Sequence, residues 1–119
     1  MNLQRPKNTK DKGLIELFVY PEKDRFIGVC LTFDIIEEGE DFLEVMKNLK
    51  EASLLHLKVI INKGLSDDLL NRYAPEEYWE KFFDYLNKLR QTHVAHLEQK
   101  YFEQVPFSAV LRNFVSVPA

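Results

Sequence analysis

The chain has 119 residues, 45% of them hydrophobic and 29% charged, which fits one soluble domain and argues against disorder. Sixteen Lys and Arg against nineteen Asp and Glu give a formal net charge of −3, which disfavours a nonspecific nucleic-acid binder. A single cysteine, Cys30, excludes an internal disulfide and a multi-cysteine zinc site, and no apolar run approaches the ~20 residues of a membrane span. A cytoplasmic protein is therefore expected.

The charge is unevenly placed. Residues 1–13 carry Arg5, Lys7, Lys10 and Lys12 against Asp11, and with Pro6, Asn8, Thr9 and Gly13 they read as a mobile basic leader. Leu14 to Tyr20 alternates as a strand does, with Ile15, Leu17 and Val19 on one face and Glu16, Phe18 and Tyr20 on the other. Pro21 to Asp24 supplies turn chemistry, and Phe26 to Phe33 is a second strand, so a β-hairpin is expected. Gly28 inside that second run predicts a bulge or the close approach of another element. A third short strand is expected over Phe33 to Glu38, with a corner near Asp34 and a break at Gly39.

Asp41 to Lys63 is the clearest helix. Asp41 caps it, Glu44 follows at capping-box spacing, and Gly64 suits the left-handed position beyond its end. Phe42, Val45, Met46, Leu49, Ala52 and His56 trace its inward face. Leu54 to Ile61 is apolar around most of the circumference, which predicts either several covering elements or a subunit interface. Leu65 to Tyr73 reads as a short helix or loop with Ser66 as its cap. Pro75 opens a further helix, with Tyr78, Phe82, Tyr85, Leu86 and Leu89 at helical spacing. That helix runs toward Gln104 or breaks near Gln91 and Thr92. Pro106 ends it, and Ala109 to Val117 is expected to be a C-terminal strand.

The expected fold class is thus α+β: a small, mainly antiparallel sheet in the order β-β-β-α, then C-terminal helices and a strand. Its core spans 14–64, with an extension of the same domain over 65–119. His93 and His96 are three apart but lack a third ligand, and His56 stands alone, so no metal is expected on histidine. Cys30, inside a β run, reads as a small buried hydrophobe. Tyr78, Trp79, Phe82, Phe83 and Tyr85 read as packing residues, because Glu76, Glu77, Glu80 and Asp84 interleave with them and repel phosphate. No phosphate loop, nucleophile elbow or zinc-protease motif occurs, and no cofactor is expected.

The remaining constellation is acidic. Between Asp34 and Glu51 seven acids meet two lysines, a net of −5, and Asp34, Glu37, Glu38, Glu40 and Asp41 cluster at the strand-to-helix corner. Such a group suits a basic protein partner. The blander reading, a solvated strand end and helix cap, explains all five without chemistry, although carboxylates of this kind also hold Mg²⁺ in nucleases.

The segment Leu17 to Gly64, about half of the chain, resembles the HicB-like antitoxin domain. The resemblance rests on the hairpin Val19-Tyr20-Pro21-Glu22-Lys23-Asp24-Arg25-Phe26-Ile27-Gly28-Val29-Cys30-Leu31, on the strand ending Glu38-Gly39-Glu40-Asp41, and on the helix from Phe42 through Leu49-Lys50-Glu51-Ala52. Ala74-Pro75-Glu76-Glu77-Tyr78-Trp79 also resembles a stretch that follows this core in small HicB-like proteins. The resemblance implies an RNase H-like sheet without nuclease activity that binds and neutralises a small basic RNA-cleaving toxin. Many members add a helix-turn-helix or ribbon-helix-helix that reads their operator; here an acidic aromatic helix and a strand stand in that place, and nucleic-acid binding is not expected. The alternatives are a stand-alone structural or regulatory homo-oligomer, most simply a two-fold dimer, and a metal-dependent nuclease using the acidic group.

Overall fold

The computed structural model describes residues 5, 7–91 and 114–116. Four strands, β1 (Leu17–Glu22), β2 (Arg25–Cys30), β3 (Ile35–Gly39) and β4 (Phe114–Ser116), form one sheet in the order β3-β2-β1-β4. The first three are antiparallel neighbours, and β4 lies parallel to β1, with Leu17 opposite Phe114. Helix α1 (Phe42–Asn62) follows β3, a single 3-10 turn spans Asp67–Leu70, and helix α2 (Glu76–Gln91) comes next. This is a small α+β fold. The expected C-terminal strand is found at Phe114–Ser116; the rest of that stretch, the continuation of α2 toward Gln104, and both His93 and His96 lie outside the described residues.

Alternation along β1 decides the layers. Leu17 and Val19 face α1, and pack with Cys30, Val45, Leu49, Leu57 and Ile60. Phe18 and Tyr20 face the other way and pack with Val29, Leu31, Trp79, Phe82 and Leu86. The sheet therefore has a helix on each face, which explains why β1 is buried on both sides where it also has strand neighbours on both edges. The aromatic cluster of α2 is core packing: Trp79 and Phe82 are fully buried, and the Phe18 ring meets the Phe82 ring edge-on at 5.5 Å.

The strand boundaries shift from the sequence reading for physical reasons. The hairpin loop is only Lys23 and Asp24, with Lys23 at φ 58°, so Pro21 and Glu22 belong to β1 rather than to the turn. Pro21 is tolerated because, among the described residues, β4 pairs only with Leu17 to Val19, leaving the end of β1 with one neighbour there. Residues 31–34 form a tight turn closed by the Asp34 N–H on the Cys30 carbonyl, with Asp34 in the left-handed region at φ 57°. That delays β3 to Ile35 and makes Gly39 its last residue. No bulge occurs at Gly28, which pairs with Val19 on one side and Glu37 on the other. The glycine instead lets α1 approach: a Cβ there would lie 2.8 Å from Val45 Cγ1 and 3.3 Å from Leu49 Cδ2.

Helix α1 ends as its sequence predicts. Gly64 takes φ 59°, its N–H bonds the Ile61 carbonyl, and the Leu65 N–H reaches back to Ile60, the paired pattern of a Schellman motif. At the other end the Asp41 carboxylate accepts the Leu43 N–H at 3.1 Å. His56 is a structural residue, its Nε2–H donating to the Leu69 carbonyl at 2.7 Å and so tying α1 to the 3-10 turn.

Within the segment expected to be a mobile leader, Asn8 is buried and its side chain pairs three backbone groups. Its Nδ2 donates to the Leu14 and Leu70 carbonyls, and its Oδ1 accepts from the Leu14 N–H. Its own backbone N–H and carbonyl bond the Asn71 side-chain amide. Arg5 adds an ion pair with Glu76 and lies over the Trp79 ring, 5.0 Å from its centroid. These contacts tie Arg5 and Asn8 to the core.

Candidate functional site

Strand β3 lies at one border of the sheet. On an edge strand every second N–H and C=O points away from the neighbouring strand, so β3 presents backbone groups that β2 does not use. The register fixes where its side chains go. Glu37 lies opposite Gly28 and Ile35 opposite Cys30, on the α1 side; Ile36 lies opposite Val29 and Glu38 opposite Ile27, on the α2 side. The strand thus reads Ile-Ile-Glu-Glu, with one isoleucine and one glutamate on each face.

The five acids singled out from the sequence all fall along this border, but they do not converge. Asp34 is exposed at the turn before β3, and its short polar side chain suits the left-handed backbone there. Glu38 and Glu40 are exposed, and Glu37 is half-buried. Arg25 approaches Glu38 at 3.8 Å across an exposed pair. Asp41 is engaged as the cap of α1. Among the described residues no group of three or more His, Cys, Asp or Glu side chains is placed to hold a metal ion. The arrangement is a row of negative charge along a strand rather than a pocket of ligands.

Two apolar features adjoin that row. Ile36 is 45% exposed on the strand itself. Beside it, a groove of about 530 Å³ runs between β3, α1 and the chain around the 3-10 turn, lined by Ile35, Leu55, Val59, Leu65, Leu69 and Arg72. Leu55 is 63% exposed and Leu43, at the start of α1, 69% exposed. The apolar second half of α1 is thus only partly covered: one flank is buried against the sheet, and the other lines the groove.

Cys30 and Glu16 are ionisable and lie inside the molecule. The Cys30 thiol is buried, and burial pushes its pKa up, which leaves it an unreactive core group, with Thr32 Oγ1 at 3.7 Å. The sequence does not mark Glu16 as interior. Its side chain is fully buried, neither carboxylate oxygen has a hydrogen-bond partner among the described residues, and burial drives its pKa well above the usual carboxylate range. The strand alternation placed it with Phe18 and Tyr20, which was the available clue, since that face also carries the aromatic core.

No family model, curated protein or solved structure matches the chain. Among the described residues, no helix is long and apolar enough to cross a membrane.

Proposed function

We propose that the chain is a HicB-like, non-catalytic protein-binding module that sequesters a small basic partner, of the kind represented by RNA-cleaving toxins. The observation that carries this reading is the acidic border of β3, where Glu37, Glu38 and Glu40 line a sheet edge that no described strand covers, and do not converge on one point. Opposite charge on a partner would steer its approach and set its orientation. The element order β-β-β-α, with a further strand returning beside β1, agrees with the RNase H-like sheet that the resemblance implies. Asp34 and Asp41 extend the negative border at either end, although each also has a local structural role.

Affinity capture of the full chain from its native host, with bound proteins identified by mass spectrometry, tests the proposal. A small basic protein encoded beside this gene is the expected result. Recovery of the chain alone, with no such neighbouring reading frame, would overturn it. A second reading, a stand-alone regulatory homo-oligomer, is favoured by the exposure of Leu43, Leu55, Val59 and Ile61 along α1. Light scattering separates the two: a strict monomer removes the oligomer.

A further inference from the structure

We infer that the β3 edge accepts an extended segment of the basic partner as a fifth strand, and that this segment carries an adjacent basic pair beside an adjacent apolar pair. The inference rests on the binding function proposed above and adds how the partner is read. A strand laid along β3 would take the outward N–H and C=O groups as its ladder, and its successive side chains would fall on alternate faces. Across from Ile35 and Ile36 it meets one apolar position on each face: on the α1 side the groove of Leu55 and Val59, on the α2 side the exposed Ile36. Across from Glu37 and Glu38 it meets one carboxylate on each face. Directly opposed charges of opposite sign and directly opposed apolar pairs stabilise such a pairing. The matching segment therefore reads Lys-Lys-Val-Val when it runs antiparallel to β3, and Val-Val-Lys-Lys when it runs parallel. An alternating Lys-Val-Lys-Val segment would put all its charge on one face and match neither glutamate–isoleucine face.

The same pattern disfavours a second copy as the occupant. When Ile-Ile-Glu-Glu is paired with itself antiparallel, registers that set Ile36 opposite Ile36 place Glu37 opposite Ile35, and those that set glutamates opposite one another repel. Charge complementarity selects a cationic strand instead.

The test uses the full chain and three synthetic peptides of equal composition flanked by Ser and Thr, with central Lys-Lys-Val-Val, Val-Val-Lys-Lys or Lys-Val-Lys-Val. Binding is followed by NMR, together with amide hydrogen exchange of Ile35 to Gly39. One of the two paired sequences should bind about tenfold more tightly than the alternating one. The β3 amides that point away from β2 should slow in exchange on binding, and a Glu37→Lys/Glu38→Lys chain should bind that peptide about tenfold more weakly. Three results overturn the inference: no saturable binding up to millimolar peptide; binding without protection of the β3 amides; or outward β3 amides already protected by a dimer that the peptides do not displace. Binding without β3 protection would leave the capture of a basic partner standing, whereas failure of capture in the native host would remove that function whatever the peptides do.

Discussion

Replacing Glu16 by Gln should stabilise the protein at neutral pH, and by an amount that grows with pH. The carboxyl is fully buried without a hydrogen-bond partner among the described residues, so the folded chain holds it in the neutral form, with its pKa well above the ordinary value. In the unfolded chain it titrates near ~4.3. Below that pH both states bind the proton, and the group imposes no pH-dependent cost. As pH rises from there toward the raised folded pKa, the unfolded state loses its proton while the folded state keeps it. Stability therefore falls with pH, at a limiting slope of about 1.4 kcal/mol per pH unit. Gln cannot ionise and removes this slope, although its amide remains a buried polar group. Met, which fills similar space without a hydrogen-bonding carboxyl or amide, should add about 1–3 kcal/mol more by eliminating the desolvated group itself. Urea unfolding of the wild type and both variants at pH 5, 6, 7 and 8 isolates the effect, because the other carboxylates are common to all three and cancel in the differences. A Glu16→Gln variant less stable than the wild type at pH 7, or a difference that does not change with pH, would refute the reasoning.

Three further outcomes follow from the packing. Gly28→Ala should cost about 1–3 kcal/mol, because the new Cβ meets the branched, buried Val45 side chain at 2.8 Å; thermal melts of the double variant Gly28→Ala/Val45→Ala should show the two changes to be less than additive. Asn8→Ala should cost about 2–3 kcal/mol by leaving the Leu14 N–H and the Leu14 and Leu70 carbonyls unpaired, and should speed amide exchange at Leu14 well before global unfolding. Asp41→Ala should cost about 1 kcal/mol through the lost cap of α1 while Asp41→Asn stays near wild type, both read from denaturant midpoints.

What could be read from the sequence was local. The hairpin follows from two alternating runs separated by a polar turn, and α1 from the Asp41 cap, the 3.6-residue apolar stripe and Gly64 at its end. Those features act within a few residues of one another, so the chain states them directly. The anchoring of Asn8 was not readable, because its partners at Leu70 and Asn71 lie 62 and 63 residues away and an asparagine among lysines carries the composition of a loop. The depth of Glu16 is half readable: alternation gives its face, but an acid on a strand is usually turned to solvent, and its burial comes from packing that no local pattern states. For the acidic candidates, alternation alone sets Glu38 on the face opposite Glu37, but which face looks to α1 and which to α2 depends on the β2–β3 register and on β3 starting after the Asp34 turn.

That distribution decides what the border can do. Carboxylates that share one face converge and attract a cation, whereas carboxylates split between faces along an edge strand act one at a time on whatever lies beside the strand. A strand edge with an exposed isoleucine, left without a partner among the described residues, invites promiscuous pairing, and charge on the edge is a usual protection against it. Here the protection is selective. Glu37 and Glu38 raise the cost of pairing with a second β3, but they do so by presenting two charges in a fixed register with the ladder groups, and a strand of opposite charge in the same register would meet attraction where a copy of β3 meets repulsion. The residues that would oppose self-association of the edge are thus the ones that would define its partner.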